Sequence, residues 1–211
     1  MPYEPPVIYG VRHAETQATL ERRYEGRGDS PLTERGISQA RLAARTLETA
    51  NAVAVYTSPS TRAMQTSRII ADRLGLRAVV VHGLAEASFG EWEGMTYEEI
   101  RLRDPVRLEA WFADPLGTRP PGGESLTDMW ARVRATMLAI LRGQAAPSVL
   151  TAGSLDGNSD EKHPAIAIVS HGGPLRALMS YCRHGDLRAF WTSQVHPGEV
   201  KRLQPGEGII W

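Results

Sequence analysis

The chain predicts an α/β protein, a three-layer α/β/α sandwich around a mainly parallel central sheet. Three observations carry that reading. Uninterrupted apolar runs at 7–11, 52–56 and 165–169 suit strands buried on both faces. Helical patterns lie between them, so strand and helix alternate. Each run also leads into reactive polar residues, at the strand ends where such sheets bind ligands.

The elements follow in chain order. Val7-Ile8-Tyr9-Gly10-Val11, after a proline-rich start, is the first strand. A helix is predicted from about Thr33 to Leu47, with Ile37, Ala40, Ala44 and Leu47 inward. Ala52-Val53-Ala54-Val55-Tyr56 is the second strand, followed by a helix from about Ser60 to Leu74. Over 126–141, Leu126, Met129, Trp130, Val133, Met137, Ile140 and Leu141 repeat at helical spacing behind a Ser125 cap, with Trp130 read as core. Residues 143–164 are rich in turn formers and read as a flexible surface loop. After Ala165-Ile166-Ala167-Ile168-Val169, two short strands are expected at 199–203 and 209–211, around Pro205-Gly206-Glu207-Gly208.

At 211 residues the chain is expected to form a single domain with a sizeable core. Its 24 basic and 24 acidic side chains balance, so neither nucleic acid nor a membrane surface is implied as a partner. Of the basic residues, 22 are arginines, so an arginine counts here only inside a tight constellation. Cys182 is the single cysteine and reads as a buried structural thiol. The start lacks the pattern of a secretion signal, and no apolar run approaches the ~18 residues of a membrane span. A cytoplasmic protein is expected.

The polar clusters are Arg12-His13, then Thr57-Ser58-Pro59-Ser60-Thr61-Arg62, then Ser170-His171-Gly172-Gly173. Arginine forks, a protonated imidazole and helix N-terminal amides all bind a phosphate dianion. Arg12, Arg62, His171 and the Gly172 amide would supply them. A neutral imidazole can attack phosphorus and split hydrolysis into two transfers. The positive surround stabilises the transition state without a metal. Glu86, between apolar neighbours in Leu84-Ala85-Glu86-Ala87-Ser88-Phe89, is the candidate acid for the leaving alkoxide. Glu91 and Glu93 compete with it. Metal binding is the rival use of such residues, but no His-x-x-x-His helix or Cys-His pair at ligand spacing is present. No metal and no cofactor are expected.

These residues resemble the histidine phosphatase superfamily, also called phosphoglycerate mutase-like. The resemblance runs through Arg12-His13-Ala14-Glu15-Thr16 and Gly26-Arg27-Gly28-Asp29-Ser30-Pro31-Leu32-Thr33-Glu34-Arg35-Gly36. It continues through Ser58 to Thr66, Glu86 to Gly94, Gly123-Glu124-Ser125 and Ser170 to Gly173. It implies His13 as nucleophile, Arg12, Arg62 and His171 as ligands of the transferred phosphoryl group, and Glu86 as proton donor. Thr16, Thr19, Glu25, Gly26, Gly172 and Ser125 are candidate substrate-binding residues. Two departures stand out: Ala14 replaces the usual glycine, and Thr19 replaces an asparagine that contacts phosphate. A hydroxyl reaches less far than an amide.

The resemblance also implies a pocket-capping insertion at about 95–125, with Trp111 and Arg119 as further candidates. The Phe89-Gly90-Glu91-Trp92-Glu93-Gly94 run looks like the family's phosphatases. The expectation is a metal-independent phosphatase acting on a small phosphorylated metabolite, with a homodimer possible. A phosphoglycerate mutase-type phosphotransferase and a catalytically silent phosphate-binding module are the alternatives.

Overall fold

The computed structural model describes residues 6–144, 164–206 and 209. Its centre is a five-stranded sheet in the order β3-β2-β4-β1-β5. The strands are β1 (Val7–Arg12), β2 (Ala52–Thr57), β3 (Ala78–Val80), β4 (Ala165–Ser170) and β5 (Val200–Leu203). Every pairing is parallel except that of β5, which runs antiparallel to β1. The strand expected at 199–203 is therefore present as the antiparallel edge of the sheet; a second was expected at 209–211. Of that segment, Ile209 is not in a strand, and Ile210 and Trp211 lie outside the described residues.

All six residues of β4 are buried, as expected of a central strand covered on both faces. Its side chains alternate between two cores. Ile166 and Ile168 join Ile8 and Tyr56 under α6 (Leu126–Leu141) and α7 (Gly172–His184). Ala165, Ala167 and Val169 join Val11 and Val55 under α2 (Glu34–Thr49) and α3 (Thr61–Leu74). Helices thus cover both faces, giving the expected three layers.

The cap residues Thr33, Ser60 and Ser125 each accept a hydrogen bond from the third helical N–H of α2, α3 and α6, which fixes where those helices begin. Trp130 is half-buried against Tyr181 rather than fully in the core. Cys182 is buried, and burial pushes its thiol up to about 12.

The 95–125 stretch contains α4 (Tyr97–Arg103) and α5 (Pro105–Ala113). They surround a third cluster of Trp92, Ile100, Leu108 and Trp111. The short α1 (Gln17–Leu20) follows the end of β1. Of the loop expected at 143–164, residues 145–163 lie outside the described residues. No described helix is long and apolar enough to cross a membrane.

Candidate active site

The parallel pairing brings the strand-end clusters together. The His13 N–H donates to the Ser170 carbonyl at 2.8 Å, and the Ser58 N–H to that of Val169 at 3.0 Å. Two imidazoles then face one another, with His13 and His171 ring centroids 5.1 Å apart. His13 Nδ1 lies 2.9 Å from the Ala14 carbonyl. A carbonyl only accepts, so Nδ1 carries the proton and Nε2 is left with its lone pair. Burial, then the charges of Arg62 and Arg12, hold the His13 pKa well below 6.5, which keeps the ring neutral. Ala14 pays no conformational penalty, since among described non-glycine residues only Arg22 and Asn51 have positive φ.

His171 Nε2 lies 2.7 Å from the Ser58 hydroxyl, and its Nδ1 is buried with no partner among the described residues. Burial, then His13, Arg62 and Arg12, push its pKa well below 6.5. The protonated imidazole expected from sequence is therefore neutral in the free site.

Arg12 lends Nη1 to the Val195 carbonyl at 3.0 Å, and its Nε is buried without a partner. Burial lowers its pKa, Glu86 opposes that shift, and Arg176 and Arg62 add to it. Arg62 is fully buried. Its Nη1 donates to the Gly28 carbonyl at 2.7 Å, and its Nη2 to those of Glu25 and Gly26, each at 2.9 Å. Nε is left without a partner, and the remaining Nη1 proton faces the Glu25 carboxylate at 3.7 Å, so Arg62 clamps the 25–28 loop with both Nη nitrogens and keeps its Nε–H uncommitted.

Whereas His171 borders a smaller cavity, one of about 350 Å³ opens beside Arg12 and His13. His13, Arg12, Glu86, Gly172 and Gly173 line its base. The Glu86 carboxylate accepts hydrogen bonds from the Ala87 N–H at 2.9 Å and the Gly173 N–H at 3.0 Å. A Cβ on Gly173 would run into Glu86 Oε1 and Met129, so glycine there makes room for the carboxylate. The competing acids are occupied elsewhere. Glu93 accepts from the Gly26, Arg27 and Phe89 amides, and Glu91 pairs with Arg103 on the surface. Neither lines this cavity.

The candidate substrate-binding residues divide. Glu25 and Gly172 line the cavity, and Gly172 opens α7, whose N-cap His171 makes no side-chain cap bond. Thr19 also lines it, but its hydroxyl donates to the Thr16 carbonyl and accepts from the Thr16 N–H. Its proton is already committed. Thr16 is fully buried and caps α1, and Ser125 caps α6 with its hydroxyl donated to Asp128 at 2.7 Å. Both hydroxyls serve helix ends rather than the cavity. Gly26 lies beside a smaller cavity next to His171, where a Cβ would strike the Ala87 carbonyl. Of the insertion candidates, Trp111 lines the main cavity, whereas Arg119 is exposed and paired with Asp128 at 3.2 Å.

Sequence reasoning missed several neighbours of the site. Arg176, on α7 and in the cavity wall, stands four residues after Gly172 and hence on the same helix face, which was its available signal. Arg132 donates to the Gly83, Ala85 and Glu86 carbonyls and holds Glu124 through two contacts of 2.9 Å. It thereby fixes the backbone that carries Glu86. Among the described residues no cluster of three or more His, Cys, Asp or Glu is arranged to hold a metal ion.

A mainly parallel α/β sheet thus gathers, around the ends of its strands, two imidazoles, two arginines and a carboxylate, groups suited to phosphoryl transfer. Residues 8–209 match the model of the histidine phosphatase superfamily (branch 1), and the chain belongs to that family of phosphatase- and mutase-type enzymes. It is 36% identical over 170 residues to a bifunctional protein of Mycobacterium tuberculosis, covering 80% of this chain but 42% of that protein. It is 30% identical to phosphoserine phosphatase 1 of Hydrogenobacter thermophilus, over 86% of this chain and 78% of the relative. It is 33% identical to a probable phosphoglycerate mutase of Yersinia pestis, over 82% of this chain and 73% of the relative. Among solved structures, a mycobacterial glucosyl-3-phosphoglycerate phosphatase in complex with VO3 matches with TM-score 0.78 and 25% identity, covering 93% of this chain and 92% of that one.

Proposed function

We propose that the protein is a metal-independent cytoplasmic phosphatase of small phosphate monoesters that works through a phosphohistidine on His13. The observation that carries this reading is the neutral His13 ring, with Nδ1 bound to the Ala14 carbonyl and Nε2 bare. The Nε2 lone pair attacks phosphorus, the P–O ester bond breaks, and Glu86 delivers its proton to the departing alkoxide. Arg12, the free Nε of Arg62, the His171 Nδ1 and the Gly172 amide meet the phosphoryl oxygens, over which the transition-state charge is spread. Water then attacks the phosphohistidine, Glu86 takes up the proton released, and phosphate leaves with His13 restored.

The mutase relative favours a second reading, in which the phosphohistidine returns its group to a phosphoglycerate instead of water. One experiment separates the two: 3-phosphoglycerate with a trace of 2,3-bisphosphoglycerate, in the presence of a chelator, followed for both phosphate and isomer. Phosphate release faster than isomer formation and indifferent to chelator is expected. Faster isomerisation would make the protein a mutase, and loss of rate restored by zinc or magnesium would overturn the metal-free chemistry.

A further inference from the structure

One half of the cavity wall is built of rings. Tyr24, Phe89, Trp111, Phe112, Phe190 and Trp191 all line it. Trp111 is the hub, edge-on to Tyr24 at 6.0 Å, to Phe89 at 6.3 Å and to Trp191 at 5.1 Å between centroids. Phe112 lies 5.1 Å from Trp191 at a tilt of 38°. Contacts of this kind hold a wall in shape before any ligand arrives.

Two donors among these rings have no partner within the described protein. Arg176 makes no hydrogen bond and no ion pair to a described residue, and its Nε is buried and unsatisfied. Trp191 Nε1 is buried and unsatisfied as well. The neighbouring charges are already engaged: Arg23 is tied to Glu21, Glu99 and the Gly94 carbonyl, and Glu124 to Arg132 and the Ser88 amide. Arg176 lines the same cavity as Arg12, Tyr24 and Trp191, and it stands one helical turn beyond Gly172 on α7. Buried N–H groups without acceptors are costly, and a ligand that brings acceptors removes the cost.

We infer that this half of the site selects phosphate esters of alcohols bearing a planar nitrogen or oxygen heterocycle, as nucleoside-type alcohols do. The heterocycle packs on the Trp111, Phe112 and Trp191 wall, and its acceptors take up the Arg176 and Trp191 N–H groups. A short phosphorylated acid would satisfy Arg176 but leave the rings against water. At about 350 Å³ the cavity falls in the size range of sites that enclose a whole small molecule, beyond the needs of a phosphoryl group and a short chain. The inference rests on the phosphatase reading only for the ester bond; the ring wall can be probed without turnover.

The test uses two measurements on the full chain. Adenosine, which has no phosphate, is titrated against tryptophan fluorescence; saturable quenching is expected, and its absence overturns the ring-binding site whether or not any ester is hydrolysed. Initial rates are then compared for adenosine 5′-monophosphate, glycerol 3-phosphate and 3-phosphoglycerate. The nucleotide should have a kcat/KM at least about tenfold above both others, a factor of the size that pocket contacts deliver. Arg176→Gln and Trp191→Phe should each erode that preference, chiefly through KM for the nucleotide. Equal kcat/KM for the three esters, or a preference for 3-phosphoglycerate that Arg176→Gln abolishes, would overturn the inference while leaving the phosphatase reading intact. Adenosine quenching with no turnover of any ester would do the reverse.

Discussion

His13 and His171 are held at strand ends and Arg62 at the start of α3, each by hydrogen bonds, whereas Tyr24, Trp111, Phe112 and Trp191 meet one another through ring contacts. Three loop carbonyls take Arg62, one takes His13, and a hydroxyl meets His171. The rings belong to the 95–125 stretch and to the segments around Tyr24 and Trp191. Directional bonds fix where charge sits; ring packing fixes a shape with more tolerance. Changes at the first group should therefore strike kcat, and changes at the second mainly KM.

The comparison is sharpest at Arg62. Arg62→Ala removes both a transition-state donor and the clamp on residues 25–28, so kcat should fall by about 10²–10³, the usual loss for one oxyanion donor. Arg62→Lys should recover little of it, because an ammonium cannot hold three carbonyls and still reach phosphate. Activity of Arg62→Ala within about threefold of the parent would show that its free Nε does not meet the transition state.

Glu86→Gln should have an effect that depends on the leaving group. An alkyl phosphate needs a proton on its alkoxide and should lose about 10²-fold or more in the phosphorylation step, while p-nitrophenyl phosphate should lose far less. The measurement is the pre-steady-state burst, because Glu86 also serves the second step. Equal losses for both esters would move the acid elsewhere.

A smaller effect is expected from pH. His13 and His171 both have pKa values pushed well below the ordinary 6.5, first by burial and then by neighbouring positive charge. With p-nitrophenyl phosphate, whose leaving group hardly needs the Glu86 proton, the burst rate should stay flat as pH falls through 6.5 and decline only where His13 gains a proton below it. Stability should follow the same sign. Above 6.5 folded and unfolded states both hold neutral imidazoles; below it the unfolded chain binds protons that the folded site refuses, so stability falls with pH. A thermal melt series from pH 7.5 to 5 checks this, and His171→Asn should flatten its acid slope. A burst rate already halved at 6.5 would contradict the buried, neutral His13.

The fold was legible wherever one physical signal dominated. The apolar runs at 7–11, 52–56 and 165–169 became β1, β2 and β4, each one residue longer at its polar end. Thr33, Ser60 and Ser125 marked helix starts because their hydroxyls have few better uses. β3 has three residues, too few to show a period, and α7 opens with Gly-Gly-Pro, which reads as a turn.

The site divides along the same line. Strand-end residues were legible because topology alone gathers them. Thr16, Thr19 and Ser125 were not, since a hydroxyl that caps a helix and one that binds a ligand are the same residue in sequence. Arg176 was hidden among 22 arginines. The division of Arg62, two nitrogens on the loop and one left over, is a matter of side-chain direction that no spacing encodes.

A covalent phosphoryl group at His13 is the central step of the proposed chemistry. Rapid acid-free quenching of the protein mixed with ³²P-labelled ester, followed by proteolysis at alkaline pH, would locate it. The label should be acid-labile and base-stable, map to the peptide containing His13, appear at the burst rate and be absent from His13→Ala. Label on any other residue, or undiminished turnover in His13→Ala, would contradict the account.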